Sequence, residues 1–496
     1  MSHEFIALAV PALLLLSAIF ILLFGFSSHY TKNRGYFITL VTLFIAFILS
    51  ANGVGQKYSI VILPDIFNSM IVYDTFSATF ISLFLLGGFL TLAIAKSFVD
   101  KTNFFTHESF VLLLFSLFGM VILSMANELL TAFIALEIAS MSVYILVGLN
   151  KNSLKASEAF FKYLLLGSFS ASFYLLGMML IYAQAKSTNL DAIAEYILHT
   201  ELHSQLLIVA GSMLIMITIM FKIAAVPFGA WVLDVYEGAS LPITAYMAGV
   251  FKIAVFAFTL RVFLKDYITF EAVYDPLIIG GALVTMFVGS LLAVIQKSVK
   301  KMLAASSVVH SGYILIAFAS IGEATSSAAS AIMFYLFAYF ISAIGAFGVL
   351  SYISKGSDKL INYDDLDGLA KTRPMIAASL TIFMLSLAGF PSTIGFIGKF
   401  YILTSAIEAG YTFLAFFGVL SAFVSIYYYF KVITHLYFKE ATHVEVYYGY
   451  KVSLAFIVLS AMVVLWGGVG TSLILDIPGI NALNELSRYS IESLGL

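Results

Sequence analysis

Four ionisable residues stand in runs too apolar to hydrate them. Glu137 lies in Ala135-Leu136-Glu137-Ile138-Ala139-Ser140 and Lys252 in Val250-Phe251-Lys252-Ile253-Ala254. Lys222 sits in Met220-Phe221-Lys222-Ile223-Ala224-Ala225-Val226-Pro227, and Lys399 in Gly395-Phe396-Ile397-Gly398-Lys399-Phe400. On insertion scales each would cost about 2.5–3.5 kcal/mol at the centre of a bilayer, so the four oppose insertion by roughly 10 kcal/mol unless they pair or face water. Burial disfavours a charged lysine and a nearby carboxylate favours it. A Glu–Lys pair held between those effects can gain or lose a proton when a neighbour's charge changes. That is the chemistry of a proton or cation relay. A single such residue could equally be an ion pair that joins two helices. Four in one chain, two of them beside helix breaks, favour transport.

Weaker candidates surround these four. His310, about eight residues into an apolar span, reads first as a buried, hydrogen-bonded histidine and second as a relay group. Lys162 and Glu158 open another span, where a snorkelling side chain is as natural as a relay. Asp234 and Glu237 read as interfacial. The abundant tyrosines and phenylalanines read as packing and interface residues.

The composition sets the frame. Of 496 residues, 61% are hydrophobic and 10% charged, against roughly 25% charged in soluble domains. The chain cannot cover a water-facing surface, and no hydrophilic stretch is long enough to fold separately. A net charge of −2 gives no sign of a nucleic-acid partner. Without cysteine the chain supplies no disulfide, thiolate metal site or iron–sulfur ligand. The eight histidines show no metal-ligand spacing, and no glycine-rich phosphate loop is present. Gly467-Gly468-Val469-Gly470 reads as a packing element. No metal or cofactor site is expected here, and redox chemistry falls to other subunits. The apolar stretch from Phe5 to Phe26 is too long for a signal-peptide core and lacks a cleavage pattern, so it is expected to persist as a first helix.

A crossing takes about 20 apolar residues. That predicts an all-α polytopic membrane protein of about fourteen spans: 5–26, 36–54, 70–95, 108–126, 128–149, 158–184, 205–237, 240–264, 276–296, 302–321, 325–353, 374–408, 411–437 and 452–475. By this count Glu137 is roughly 14 Å deep, near the midplane. The seventh and twelfth spans would each reach about 50 Å if straight. Each holds a proline, Pro227 or Pro391, with Gly229 or Gly389 close by, so both are expected to be interrupted. Breaks five spans apart suggest two five-helix units, spans 4–8 and 9–13. An odd number of spans makes the second unit inverted. The expected division is 1–107, 108–264, 276–437 and 438–496 within one transmembrane domain.

Positive charge sets the expected orientation. Lys32, Arg34, Lys96, Lys101, Lys151, Lys155, Lys297, Lys300, Lys301, Lys355, Lys359, Lys371 and Arg373 follow odd-numbered spans. The even loops hold only Lys57, Lys186, Arg261 and Lys265. The odd loops are therefore expected in the cytoplasm and both termini on the other side.

Three motifs resemble one known family. Ser157-Glu158-Ala159-Phe160-Phe161-Lys162-Tyr163-Leu164-Leu165-Leu166-Gly167 is similar to the start of the sixth helix in the antiporter-like membrane subunits of respiratory complex I, the proton-translocating NADH:quinone oxidoreductase. Asp234-Val235-Tyr236-Glu237-Gly238-Ala239 with Pro242-Ile243-Thr244 resembles the segment after their first broken helix. Gly389-Phe390-Pro391-Ser392-Thr393-Ile394-Gly395-Phe396-Ile397-Gly398-Lys399-Phe400-Tyr401 resembles their second break. The likeness runs from about 70 to 440. It implies fourteen helices in two inverted repeats and proton translocation driven by quinone reduction elsewhere. Position by position, it makes Glu137 the carboxylate of the fifth helix, Lys222 its partner, Lys252 the central lysine and Lys399 the ionisable residue of the twelfth. His310 falls where a central-axis histidine is frequent. NADH, FMN, iron–sulfur clusters and quinone would sit on partner subunits. The partners would be sister antiporter-like subunits and small membrane subunits in a bacterial inner membrane. Pro227-Phe228-Gly229 departs from the frequent Pro-Phe-His, and no long lateral helix follows the last span.

The expected path runs from the cytoplasm to Lys222, through Lys252 and water, and out by way of Lys399, with Glu137 modulating Lys222. Two other readings stay open, a subunit of a multisubunit cation/proton antiporter and a scaffold subunit that transports nothing.

Overall fold

A backbone in hydrocarbon must satisfy its own hydrogen bonds, and a run of apolar residues does so as a helix. The computed structural model describes residues 3–25, 32–54, 69–200, 205–354, 356, 361–440, 449–469 and 480–492. Lys57, Lys355, Lys359 and Gly470 lie outside them, as does the side chain of Lys265.

The first helices are α1 (His3–Gly25), α2 (Lys32–Val54), α3 (Thr75–Lys101), α4 (His107–Met125), α5 (Leu129–Val147) and α6 (Leu154–Ala185). Then come α7 (Leu190–Leu198), α8 (Leu206–Lys222), α9 (Val232–Gly238), α10 (Leu241–Tyr246) and α11 (Lys252–Ile295). The rest are α12 (Val299–Ala319), α13 (Ile321–Ile353), α14 (Leu369–Thr372), α15 (Pro374–Ala388), α16 (Ile394–Glu408), α17 (Thr412–Phe438), α18 (Lys451–Val469) and α19 (Ile480–Glu492). Among the described residues, 12 helical segments are long and apolar enough to cross a membrane, and α8 and α15 are shorter apolar helices. Those two, each continued beyond a break, are the seventh and twelfth spans of the expected order. The all-helical fold with two interrupted spans is therefore the one observed.

The two breaks are built alike. At the end of α8 the Ala225 N–H donates to the Met220 carbonyl (2.9 Å) and the Ala224 N–H to that of Phe221 (3.0 Å). At the end of α15 the Phe390 N–H donates to Leu385 (2.9 Å) and the Gly389 N–H to Ser386 (3.0 Å). This is the Schellman closure, whose pivot residue is left-handed. The pivots are Ala224 (φ +62°) and Gly389 (φ +81°). The helices therefore stop before Pro227 and Pro391, which lie inside the breaks and keep them from resuming. A side chain at a left-handed position carries strain. Ala224→Val, β-branched at a buried site, is expected to lower stability by about 1–3 kcal/mol. Ala224→Gly is expected to be tolerated. Melting temperatures of the two variants in detergent check this.

The eighth and ninth spans, expected at 240–264 and 276–296, are the observed 241–262 and 273–295 segments. Helical conformation extends from Lys252 to Ile295, with Pro276 interrupting the hydrogen-bond ladder. If straight, it would hold Lys252 and Met286 about 50 Å apart. Yet Lys252 bonds to Ser307 and Ser311, and Met286 lies against Gly312. The chain must therefore reverse within the helical stretch between the two crossings. The described part of the chain also has three helices that hydropathy alone did not anticipate: α7, α14 and α19.

Burial follows position in the bundle. The 241–262 segment and α12 are wholly enclosed, and α13 nearly so. On α6 and α17 a stripe of large apolar side chains faces outward, with Phe161, Leu165, Phe169, Phe413, Phe416 and Phe423 among them. The polar residues described next sit on the enclosed helices or point toward them.

Arg261 belongs to that interior. Hydropathy put it in a loop, but it is buried on α11 and ion-paired with Asp74 at 2.9 Å. Its Nε also donates to the Ser124 carbonyl (3.0 Å) and a terminal nitrogen to Ser77 Oγ (2.8 Å). The cost of burying the guanidinium is offset by the paired carboxylate and these acceptors.

Candidate ion path

Lys222 ends α8, and its stem is buried where that helix stops. Its Nζ donates to Ser140 Oγ (2.7 Å) and to the Tyr144 hydroxyl (2.9 Å), both on α5. Glu137, one turn before Ser140, brings Oε1 to 3.7 Å from the ammonium. That oxygen is buried and makes no hydrogen bond. An ammonium has three donors, and neutral oxygens take two of Lys222's. The carboxylate is close enough to stabilise charge without clasping it.

Lys252 follows a π-helical turn, Met247–Phe251, a distortion that recurs at functional positions. Its Nζ donates to the Ser307 carbonyl (2.8 Å), to Ser307 Oγ (3.3 Å) and to Ser311 Oγ (3.0 Å). Ser311 Oγ in turn donates to the Ile223 carbonyl at 2.7 Å. Ile223 is the residue after Lys222, and its carbonyl is exposed by the α8 break. A single serine therefore joins the first break to the second lysine.

His310 lies beside Ser311 on α12, fully enclosed. Its Nδ1 is 2.6 Å from the Tyr335 hydroxyl and its Nε2 is 3.0 Å from that of Tyr429. The structure agrees with the expectation of a buried, hydrogen-bonded histidine.

Lys399 reaches back from α16 across the second break. Its Nζ donates to the carbonyls of Leu387 (3.0 Å) and Ala388 (2.9 Å), at the negative end of α15. The Tyr313 ring lies beneath it at 4.8 Å. Gly389 makes the approach possible. A Cβ there would come within 2.8 Å of the lysine Cδ, at a left-handed φ.

Lys162 stands apart from this row. Its side chain is 41% exposed and bridges Glu158 and Asp234, each at 2.6 Å. Nearby, Glu237 pairs with Lys155 (2.7 Å) and with Lys301. Lys300 donates to the Glu237 and Ala239 carbonyls at the end of α9. Asp234 and Glu237 are thus salt-bridged at one end of the bundle, not in its middle.

The structure unites Glu137 with Lys222, links Lys222's break to Lys252, and sets His310 on the same helix as Lys252's partners. Hydropathy missed Ser140, Tyr144, Ser307, Ser311, Tyr335 and Tyr429. Serine and tyrosine are too frequent in the chain to signal a role. Their one mark is spacing: Glu137, Ser140 and Tyr144 recur at three and four residues, one face of a helix. Asp364, Asp367 and His435 also gather at the surface, where His435 Nδ1 is hydrogen-bonded to Asp367 at 2.6 Å.

A polytopic helical bundle with two interrupted spans, a buried lysine at each break and a third between them, defines an antiporter-like membrane protein. The family model for NADH:quinone oxidoreductase/Mrp antiporter transmembrane proteins matches residues 126–425. A relative from Trichlorobacter lovleyi, named NADH-quinone oxidoreductase subunit N, is 39% identical over 82% of this chain and 82% of its own. Among solved structures, a chain of Thermus thermophilus respiratory complex I with bound aureothin superposes with a TM-score of 0.78 at 28% identity, covering 93% of this chain and 97% of that one. A chain of the Mrp complex from Dietzia sp. DQ12-45-1b has the same fold, with a TM-score of 0.83 at 20% identity over 100% and 98% of the two chains. The chain belongs to the NADH:quinone oxidoreductase/Mrp antiporter transmembrane family.

Proposed function

We propose that this chain is the subunit-N-type membrane subunit of a respiratory complex I, an NADH:quinone oxidoreductase, and moves protons across the membrane while quinone is reduced in other subunits. The observation that carries this reading is the contact chain from Lys222 to Lys252. The carbonyl freed by the first break is bound by Ser311, which is bound by the central lysine. A proton taken up near Lys222 passes through ordered water and the Ser311 hydroxyl to Lys252 and leaves by way of Lys399, while the Ile223 carbonyl only holds Ser311 in place. Glu137 sets how readily Lys222 holds its charge. Because the sites interact, their titrations belong to the set.

NADH, FMN, iron–sulfur clusters and quinone sit on partner subunits, and the direct neighbours are sister antiporter-like and small membrane subunits. The lysine-rich loops face the cytoplasm of a bacterial inner membrane and both termini face away. Convergence of Lys155, Lys300 and Lys301 on Glu237 supports this, since it gathers the fifth and ninth loops at one end. The twin Schellman closures support an inverted repeat of spans 4–8 and 9–13.

Extraction in mild detergent tests the assignment. Iron–sulfur and flavin subunits should copurify. Small membrane subunits alone would instead favour the antiporter reading, which shares the fold. Within the assembled complex, Ser311→Ala should slow proton uptake per quinone reduced about fivefold, the factor one ordinary hydrogen bond supplies. Uptake equal to the parent's would remove Ser311 from the path.

A further inference from the structure

Phenols hold both ring nitrogens of His310, and the three side chains come from three helices, α12, α13 and α17. All are buried, and the Tyr339 ring packs on the imidazole at 4.7 Å. A neutral imidazole has one N–H and one bare nitrogen. One phenol must therefore donate to the ring while the other accepts from it. The two phenols also face different neighbours. Tyr335 packs against Gly398, the residue before Lys399. Tyr429 interacts with Ser306, the residue before Ser307, which receives Lys252.

We propose that Tyr335 and Tyr429 are further relay residues, forming with His310 a neutral proton wire between the Lys252 and Lys399 sites. The proposal rests on the translocation reading above. A proton arriving at the Tyr429 oxygen from the Lys252 side sends that phenol's own proton to Nε2. The Nδ1 proton passes to the Tyr335 oxygen, and the Tyr335 proton leaves toward Lys399. Each bond to hydrogen that breaks is replaced, and His310 ends in its other tautomer. Neither an imidazolium nor a phenolate is left behind. This matters because a cationic ring enclosed between two buried amines would suffer both desolvation and like-charge repulsion. A second proton cannot follow in the same direction until the first tautomer is restored, so the wire delivers one proton per cycle.

The test uses the assembled complex in proteoliposomes, with proton uptake followed by a pH-sensitive dye and quinone reduction by NADH oxidation. Tyr335→Phe and Tyr429→Phe should each lower uptake per quinone about fivefold, as expected for one lost hydrogen bond. Neither should add to the loss caused by His310→Phe. Tyr427→Phe, on the same helix but facing outward, should pump like the parent. If a phenylalanine variant fails to assemble, 3-fluorotyrosine at 335 or 429 keeps the hydroxyl and makes it more acidic. It should then move the pH profile of proton uptake, which a purely structural tyrosine would not. Parental uptake in both phenylalanine variants, or an unmoved profile with fluorotyrosine, overturns the wire if Lys222→Met is impaired in the same assay. Parental uptake in Lys222→Met as well overturns the translocation reading itself.

Discussion

Replacing Lys222 with methionine is expected to abolish most proton uptake through this subunit while leaving its assembly measurable. The variant keeps a side chain of similar length, so the end of α8 remains filled. It removes the donor to Ser140 and Tyr144 and leaves Glu137 beside no cation. Loss of a positioned acid–base group lowers rates by about 10²–10⁴-fold, far more than one neutral hydrogen bond would. Glu137→Gln should have a smaller effect, because Lys222 keeps both neutral acceptors. The comparison is made on proton uptake normalised to quinone reduction. Equal losses in the two variants would mean that the carboxylate accepts the proton itself.

The largest effect on stability is expected at Asp74 and Arg261. Arg261→Met leaves a buried carboxylate with only Ser77 as partner, and Asp74→Asn leaves a guanidinium with only neutral acceptors. Breaking a buried pair from one side costs about 3–5 kcal/mol, whereas replacing both partners with apolar groups is often close to neutral. Each single variant should therefore melt at a clearly lower temperature in detergent. The double variant Asp74→Leu/Arg261→Met should recover much of the loss. Additive losses would show that the two residues stabilise the fold independently.

Much of this was legible in the sequence, for reasons that can be named. Hydropathy finds the spans because lipid allows only self-satisfied helices. It also exposes Glu137, Lys222, Lys252 and Lys399, since a charge in an apolar run is expensive. Excess length with Pro227 and Pro391 reveals the two breaks. It does not reveal that Ala224 and Gly389 make the stops, because a left-handed pivot leaves no mark on composition. Pairing was hidden too. Lys222 meets Ser140 from 82 positions away, and Arg261 meets Asp74 from 187. Arg261 was misread because a charge near the end of an apolar run resembles a loop residue until its acceptors are known. The turn between the eighth and ninth spans was legible, since the apolar runs at 240–264 and 276–296 match the observed 241–262 and 273–295 segments.

The enclosed and the exposed lysines should differ most sharply in what their loss does to proton uptake. Lys222, Lys252 and Lys399 are each held by neutral oxygens inside the bundle, while Lys162 sits in a partly exposed salt bridge. The measurement is the ratio of protons taken up to quinone reduced in proteoliposomes, for methionine at each of the four positions. A depressed ratio is expected for the three enclosed lysines and a ratio near the parent's for Lys162. Four ratios that match the parent's, in fully assembled complexes, would contradict that expectation.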